Sequence, residues 1–148
     1  MGMVDLILRP ALETDARQIR DLIHRVGINP MDLNWRHFVI AENANGHFMG
    51  CCQLKTHRDG SPELASLAVE EDYRRQGVAR ALIGHLLEHS PRPLFLMCRS
   101  ALVPFYEKFG FQVSGAEAMS PYFRRMHRLT KVLVGRKGNL GPTIMRLD

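Results

Sequence analysis

The run Glu63-Leu64-Ala65-Ser66-Leu67-Ala68-Val69 is apolar at nearly every position after the glutamate, and the pattern that follows it changes abruptly. A continuous apolar run of this length suits a central strand covered on both faces. Residues Glu70 to Gln76 form a charged loop. From Gly77 onward the period is helical: Val78, Ala79, Leu82, Ile83, Leu86 and Leu87 make one broad apolar face, with Arg80, Gly84 and Glu88 opposite. A buried strand that empties through a short basic loop into an amphipathic helix belongs in a layered α/β structure.

The rest of the chain fits that class. Leu6-Ile7-Leu8 reads as a short strand. Thr14 reads as the cap of a helix whose apolar positions are Ala16, Ile19, Leu22, Ile23 and Val26, stopped by Gly27 and Pro30. Trp35 to Glu42 and Phe48 to Thr56 read as a hairpin about Asn43-Ala44-Asn45-Gly46. A second turn, His57 to Pro62, leads into the apolar run. Leu94 to Cys98 is another buried strand, Pro104 opens a short helix capped near Gly110, and Phe111 to Ser114 extends again. In the tail, Ser120-Pro121 starts a helix to Leu133 with Tyr122, Met126, Leu129 and Leu133 on one face and Arg124, Arg125, Arg128 and Lys131 on the other. Thr143 to Leu147 is a last strand.

At 148 residues, 45% hydrophobic and 24% charged, the chain reads as one soluble globular domain spanning 1–148. No apolar run approaches the ~18 residues of a membrane span. The Met-Gly-Met-Val-Asp-Leu start lacks the pattern of a signal peptide, and Leu6 stands where myristoylation at Gly2 would want Ser or Thr. The three cysteines, two of them adjacent, read as small buried residues of a reducing compartment, so a cytoplasmic protein is expected. The net charge of +5 favours anionic partners without choosing among nucleotides, phosphates, nucleic acid or membrane surface.

The loop into the second helix has a specific physical character. Gly77 lets the backbone approach a ligand closely. The first helical amides, from Gln76 to Arg80, have no intrahelical acceptor and carry the positive end of the helix dipole. Arg74, Arg75 and Arg80 add charge, so the turn is equipped to hold a pyrophosphate. It is neither a Walker A loop nor a dinucleotide fingerprint, because Gly77 is the only glycine in the turn. On local physics alone, an exposed basic loop before a surface helix accounts for the same residues equally well.

Arg74-x-x-Gly77-x-Ala79 resembles the Q/R-x-x-G-x-G/A motif of the GNAT superfamily of acetyl-CoA-dependent N-acetyltransferases. The strand Glu63 to Val69 resembles its fourth strand, and Pro104 to Phe111, with Tyr106 and Gly110-Phe111, its F/L-Y-x-x-x-G-F signature. The resemblance covers roughly Leu6 to Ser114. It implies a GNAT-like α/β fold: a mixed, mostly antiparallel sheet of six to seven strands flanked by helices and splayed between the fourth and fifth strands. It also implies acetyl-CoA as co-substrate, with no metal. The backbone of Leu67, Ala68 and Val69 would pair with the pantetheine. Arg74, Arg75, Gln76, Gly77, Val78, Ala79 and Arg80 would hold the pyrophosphate. Arg99 departs from the family, which often has asparagine there.

The implied reaction is direct attack of a neutral primary amine, on a small molecule or a peptide, within a ternary complex. Such an amine has a pKa near ~10 and must shed a proton. Glu63 matches a glutamate that some members use as general base; the alternative is an edge carboxylate paired with a basic neighbour. Tyr106 matches a tyrosine assigned in relatives as general acid to the leaving thiolate; the alternative is a core aromatic. No histidine pair has metal-ligand spacing with a third partner. Cys98, in an apolar strand, reads as inert packing rather than a nucleophile. The competing function is a GNAT-like acyl-CoA-binding module, or one whose basic tail helix docks nucleic acid or an anionic surface. Aromatic residues near those arginines are confined to Tyr122 and Phe123, which argues against nucleic acid. The Asn29–Asn34 connection, Trp35 and the tail helix are the expected acceptor walls, with Asp32 and Glu117 as their acidic groups. An exposed edge strand is compatible with a homodimer.

Overall fold

A computed structural model describes residues 5–134 and 142–148. Gly2 and the side chain of Leu133 lie outside the described residues. The elements run β1 (Leu6–Pro10), α1 (Ala16–Val26), β2 (Phe38–Asn43), β3 (Phe48–Thr56), β4 (Pro62–Val69), α2 (Val78–His89), β5 (Leu94–Cys98), α3 (Val103–Glu107), β6 (Gln112–Val113), α4 (Pro121–Val134) and β7 (Thr143–Leu147). The seven strands form one sheet in the order β1-β2-β3-β4-β5-β7-β6. β1 with β2, β2 with β3, β5 with β7 and β6 with β7 are antiparallel, whereas β4 pairs with β5 in parallel at Glu63↔Phe95.

The chain clusters into two compact units, Met1–Leu54 with Leu64–Ser90 and Lys55–Glu63 with Pro91–Asp148. In the first, Ile19, Leu22 and Ile23 of α1 pack on Phe38 and Ile40 of β2, Cys51 of β3 and Ala68 of β4. The i, i+3, i+4 spacing of those helical residues is what turns one stripe of α1 inward. In the second, Phe95 of β5, Ile144 of β7, Met119 and Phe123 form the core, with Phe95 and Phe123 stacked at 4.7 Å between centroids. Each fully buried side chain of this size stabilises by about 1.5–3 kcal/mol.

Three local expectations are corrected. Trp35–His37 is a single tight turn rather than the start of β2, because the Asn34 side chain accepts the Arg36 N–H at 3.1 Å and offers the backbone an alternative to the ladder. Thr14 is not the cap of α1. A short turn, Glu13–Asp15, precedes the helix, and the Asp15 carboxylate takes the Leu12 N–H at 2.7 Å. On α4, Phe123 is the buried residue and Leu129 is half exposed, because ring packing in the core and a cap on the first turn set the helix rotation.

Asp15 also receives Arg9 in a two-pronged contact, Nη1 at 2.7 Å and Nη2 at 2.9 Å, while Arg9 Nε bonds Glu42 at 3.1 Å. This ties β1, β2 and the entry to α1. The Arg9 hydrogen bonds, more than the opposing effect of burial, hold the Asp15 carboxyl below its ordinary range. Its contribution is therefore complete above the unfolded value of about 3.9 and disappears as pH falls through the lower folded-state value. Asp15→Asn should lower unfolding stability by about 1–3 kcal/mol at neutral pH. Urea titrations should show that difference shrinking as the pH is taken below about 4; a difference independent of pH would contradict the assignment.

Candidate functional site

The passage from β4 to α2 is built as the sequence suggests, with an addition. Ser66 departs from extended geometry (φ 56°) although it lies within β4. Buried Gln53 of β3 holds it there, Nε2 donating to Ser66 Oγ at 2.7 Å; Gln53 Oε1 is buried with no partner among the described residues. A non-glycine residue in this region costs roughly 1–3 kcal/mol and persists where its surroundings fix it. Immediately after it, Ala68 enters the core while Leu67 and Val69 are only partly buried.

Beyond Val69 the chain makes a short turn, Glu71–Tyr73, and Arg74 reaches back, Nε to the Val69 carbonyl at 3.3 Å. Arg75 (φ 65°) and Gly77 (φ 83°) both take left-handed conformations. Alternation of this kind turns successive amides to one side and makes an anion-binding concavity. The first bond of the α2 ladder is Ala81 N–H to Gly77 carbonyl, 3.0 Å, so the amides before Ala81 precede it. Arg74, Arg75, Gln76, Gly77 and Arg80 are exposed, whereas Val78 is buried and Ala79 partly so. A Cβ on Gly77 would meet nothing within 4 Å, so its glycine is required by backbone conformation and not by crowding from the protein. The left-handed Arg75 carried no readable signal, because arginine has no preference for that conformation.

Glu63 is 5% exposed and belongs to the second unit. Its Oε1 lies 2.7 Å from His57 Nε2, and the two side chains are 6% and 11% exposed. His57 stacks on Tyr122 at 3.5 Å with a 12° tilt and meets Phe123 edge-on at 5.5 Å. The sequence offered pairing with a basic neighbour as the alternative for Glu63 but did not identify the neighbour, which is His57. The available signal was the turn itself: His57 N–H bonds the Ser61 carbonyl at 3.0 Å, which makes His57 and Glu63 flank a closed hairpin. Within the same turn, burial pushes the Asp59 carboxyl up. Hydrogen bonds from the Ser61 hydroxyl, the Tyr122 and Ser61 amides and the Ser120 hydroxyl outweigh that and hold it below the carboxylate range. Asp59 thereby caps α4, taking the Tyr122 N–H at 2.9 Å.

Tyr106, also in the second unit, is 8% exposed and lies edge-on to Phe105 and Phe111. Its ring is thus a packing element whatever its hydroxyl does. Cys98 is buried against Met145 Sδ at 3.8 Å, and burial raises its thiol above the ordinary value; burial pushes Cys51 up to about 12 and Cys52 well above its usual range. These are poor nucleophiles. Arg99 is exposed, as are Asp32 and Glu117. Among the described residues no group of three His, Cys, Asp or Glu could hold a metal, and no helix is long and apolar enough to cross a membrane. On α4, Arg125, Arg128, Leu129, Lys131 and Val132 are exposed, while Arg124 bonds the Ala116 and Met119 carbonyls.

Comparison with known proteins agrees with this arrangement. The family described as "Acetyltransferase (GNAT) domain" matches residues 34–113, more than half of the chain, from the turn before β2 through β6. Serotonin N-acetyltransferase of Mesocricetus auratus is 43% identical over 74 residues, covering 45% of this chain and 36% of that one. The chain thus spans little more than a third of the length of the curated relatives it matches. N-acetylglutamate synthase from Neisseria gonorrhoeae, complexed with coenzyme A and L-arginine, shares the fold with a TM-score of 0.74 at 21% identity, over 97% of this chain and 34% of that one. Ard1 from Thermoplasma volcanium does so with a TM-score of 0.69 at 16% identity, over 98% and 99%. With a mixed, mostly antiparallel sheet, one parallel strand pair and the basic turn between β4 and α2, the chain belongs to the GNAT acetyltransferase domain family.

Proposed function

We propose that this chain transfers the acetyl group of acetyl-CoA to a primary amine of a small molecule or peptide, by direct attack in a ternary complex. The observation that carries the reading is the β4–α2 turn, where two left-handed residues lead into a helix whose first ladder bond is made by Ala81, with the amides before it set among three exposed arginines. Those residues fit a pyrophosphate: the dipole has the right sign, Gly77 carries no side chain, and the surroundings are cationic. The amides of Arg75 to Arg80 bind the pyrophosphate, with Arg74, Arg75 and Arg80 neutralising it, and the backbone of Leu67, Ala68 and Val69 pairs with the pantetheine amides.

In the reaction the amine nitrogen forms a bond to the thioester carbonyl carbon as the carbon–sulfur bond breaks. Glu63 takes the proton that the amine sheds, and Tyr106 donates its phenolic proton to the departing thiolate. The serotonin N-acetyltransferases among the relatives make an arylalkylamine the first acceptor to try. A second reading, a binding module, draws on the exposed Arg125, Arg128 and Lys131 beside exposed Leu129 and Val132.

Two substitutions test the enzyme reading. Gly77→Asp puts a negative charge and a strained left-handed aspartate against the pyrophosphate. Calorimetry should show acetyl-CoA affinity falling at least tenfold with the thermal melt retained; Gly77→Ala separates backbone strain from charge, and wild-type affinity in the aspartate variant would place the cofactor elsewhere. Tyr106→Phe keeps the ring between Phe105 and Phe111. Turnover should fall by about tenfold to a hundredfold, at or below the lower limit of what a positioned acid contributes because the thiol is a fair leaving group, with acetyl-CoA affinity unchanged. Unaltered turnover where chemistry limits the rate would leave Tyr106 a core aromatic.

A further inference from the structure

We infer that His57 is the positioning residue for Glu63: it occupies one carboxylate oxygen, fixes the carboxylate plane and leaves the other oxygen to take the amine proton. The inference rests on the acetyltransferase reading above, in which Glu63 is the base. The geometry is that of a built pair. His57 Nε2 lies 2.7 Å from Glu63 Oε1; a base must be ionised, and an ionised carboxylate only accepts, so in this role His57 Nε2 donates to Glu63 Oε1. The pair is nearly dry, at 11% and 6% side-chain exposure.

The imidazole is itself held on three sides. Tyr122 covers one face at 3.5 Å, Phe123 meets it edge-on at 5.5 Å, and the His57 main chain closes the turn through both its N–H to Ser61 and its carbonyl from the Gly60 N–H at 2.9 Å. Tyr122 and Phe123 are in turn fixed by the Asp59 cap on the first turn of α4 and by the Phe95–Phe123 stack. A side chain that served only to fill space would not need an aromatic partner aligned to within 12° and a directed bond to a carboxylate. Fixing a base in this way matters because proton transfer is sensitive to placement: a shift of about 1 Å can lower the rate ~10²-fold. The protons balance in two steps. Glu63 Oε2 takes one proton from the ammonium before attack; the second, shed by the nitrogen as the amide forms, passes to water and restores Tyr106, which has protonated the thiolate, while His57 keeps its own proton on Nε2 throughout.

The test uses the full chain with acetyl-CoA and a panel comprising an arylalkylamine, a diamino acid, an α-amino acid and a peptide N-terminus, following thiol release. The variants are Glu63→Gln, His57→Gln, His57→Asn and the double variant Glu63→Gln/His57→Asn. Glutamine can place an amide donor where Nε2 stands; asparagine is equally polar but too short to reach Oε1. Expected are a fall of ~10²-fold or more in kcat for Glu63→Gln, about tenfold or more for His57→Asn with the acetyl-CoA KM unchanged, and near wild-type turnover for His57→Gln. The double variant should be no slower than Glu63→Gln alone, because His57 acts through Glu63. Wild-type turnover in His57→Asn, equal losses in His57→Gln and His57→Asn, or additive losses in the double variant would each overturn the positioning role while leaving Glu63 as base. Wild-type turnover in Glu63→Gln, or no thiol release from wild type with any amine of the panel, would overturn the reading on which it rests.

Discussion

Nothing larger than hydrogen fits on Gly50. A Cβ there would stand 2.7 Å from the Ala68 carbonyl oxygen and 3.3 Å from the Val69 Cα, with the Val78 side chain at 3.4 Å. That approach, seconded by the Glu70 N–H to Met49 carbonyl bond at 2.8 Å, locks the end of β4 and the first residue of α2 onto β3. The position of the turn from Arg74 to Gly77 therefore follows from backbone packing in the layer beneath it.

The same strand begins with Glu63, whose surroundings have a different origin. The hairpin tip from His57 to Ser61 is joined to α4 by the Asp59 cap and by the stack of His57 on Tyr122. A tail segment outside the family match, which ends at residue 113, thus supplies the aromatic wall around His57, the partner of Glu63. Its exposed basic residues lie on the same helix as the partly buried Tyr122 and the buried Phe123, so α4 contributes structure through these two rings whatever its outer face does.

What could be read from the sequence was what short-range periodicity and glycine placement encode. Phe48–Thr56, Leu94–Cys98 and Thr143–Leu147 appear with the expected bounds, and the helix after Gly77 appears where the period changes. The basic turn from Arg74 to Gly77 was legible because helix-start physics is local. Side-chain competition hid the turn at Trp35–His37, where Asn34 captures a backbone amide. The rotation of α4 was hidden because a cap and a ring stack, to residues 63 and 28 positions away in sequence, turn Phe123 inward instead of the stripe that periodicity selects. His57 and Glu63 escaped for a related reason. A six-residue separation has no helical or strand period, and only the closed turn makes the two side chains neighbours.

The most direct test of the account is an amide-resolved NMR titration of the full chain with coenzyme A. The account predicts the largest shifts, and the strongest gain in exchange protection, at the amides of Gln76 to Arg80, with accompanying shifts at Leu67 and Val69. Saturable shifts confined to Arg125–Lys131 of α4, with the amides of Gln76 to Arg80 unmoved, would contradict it and make the tail helix the anion-binding surface.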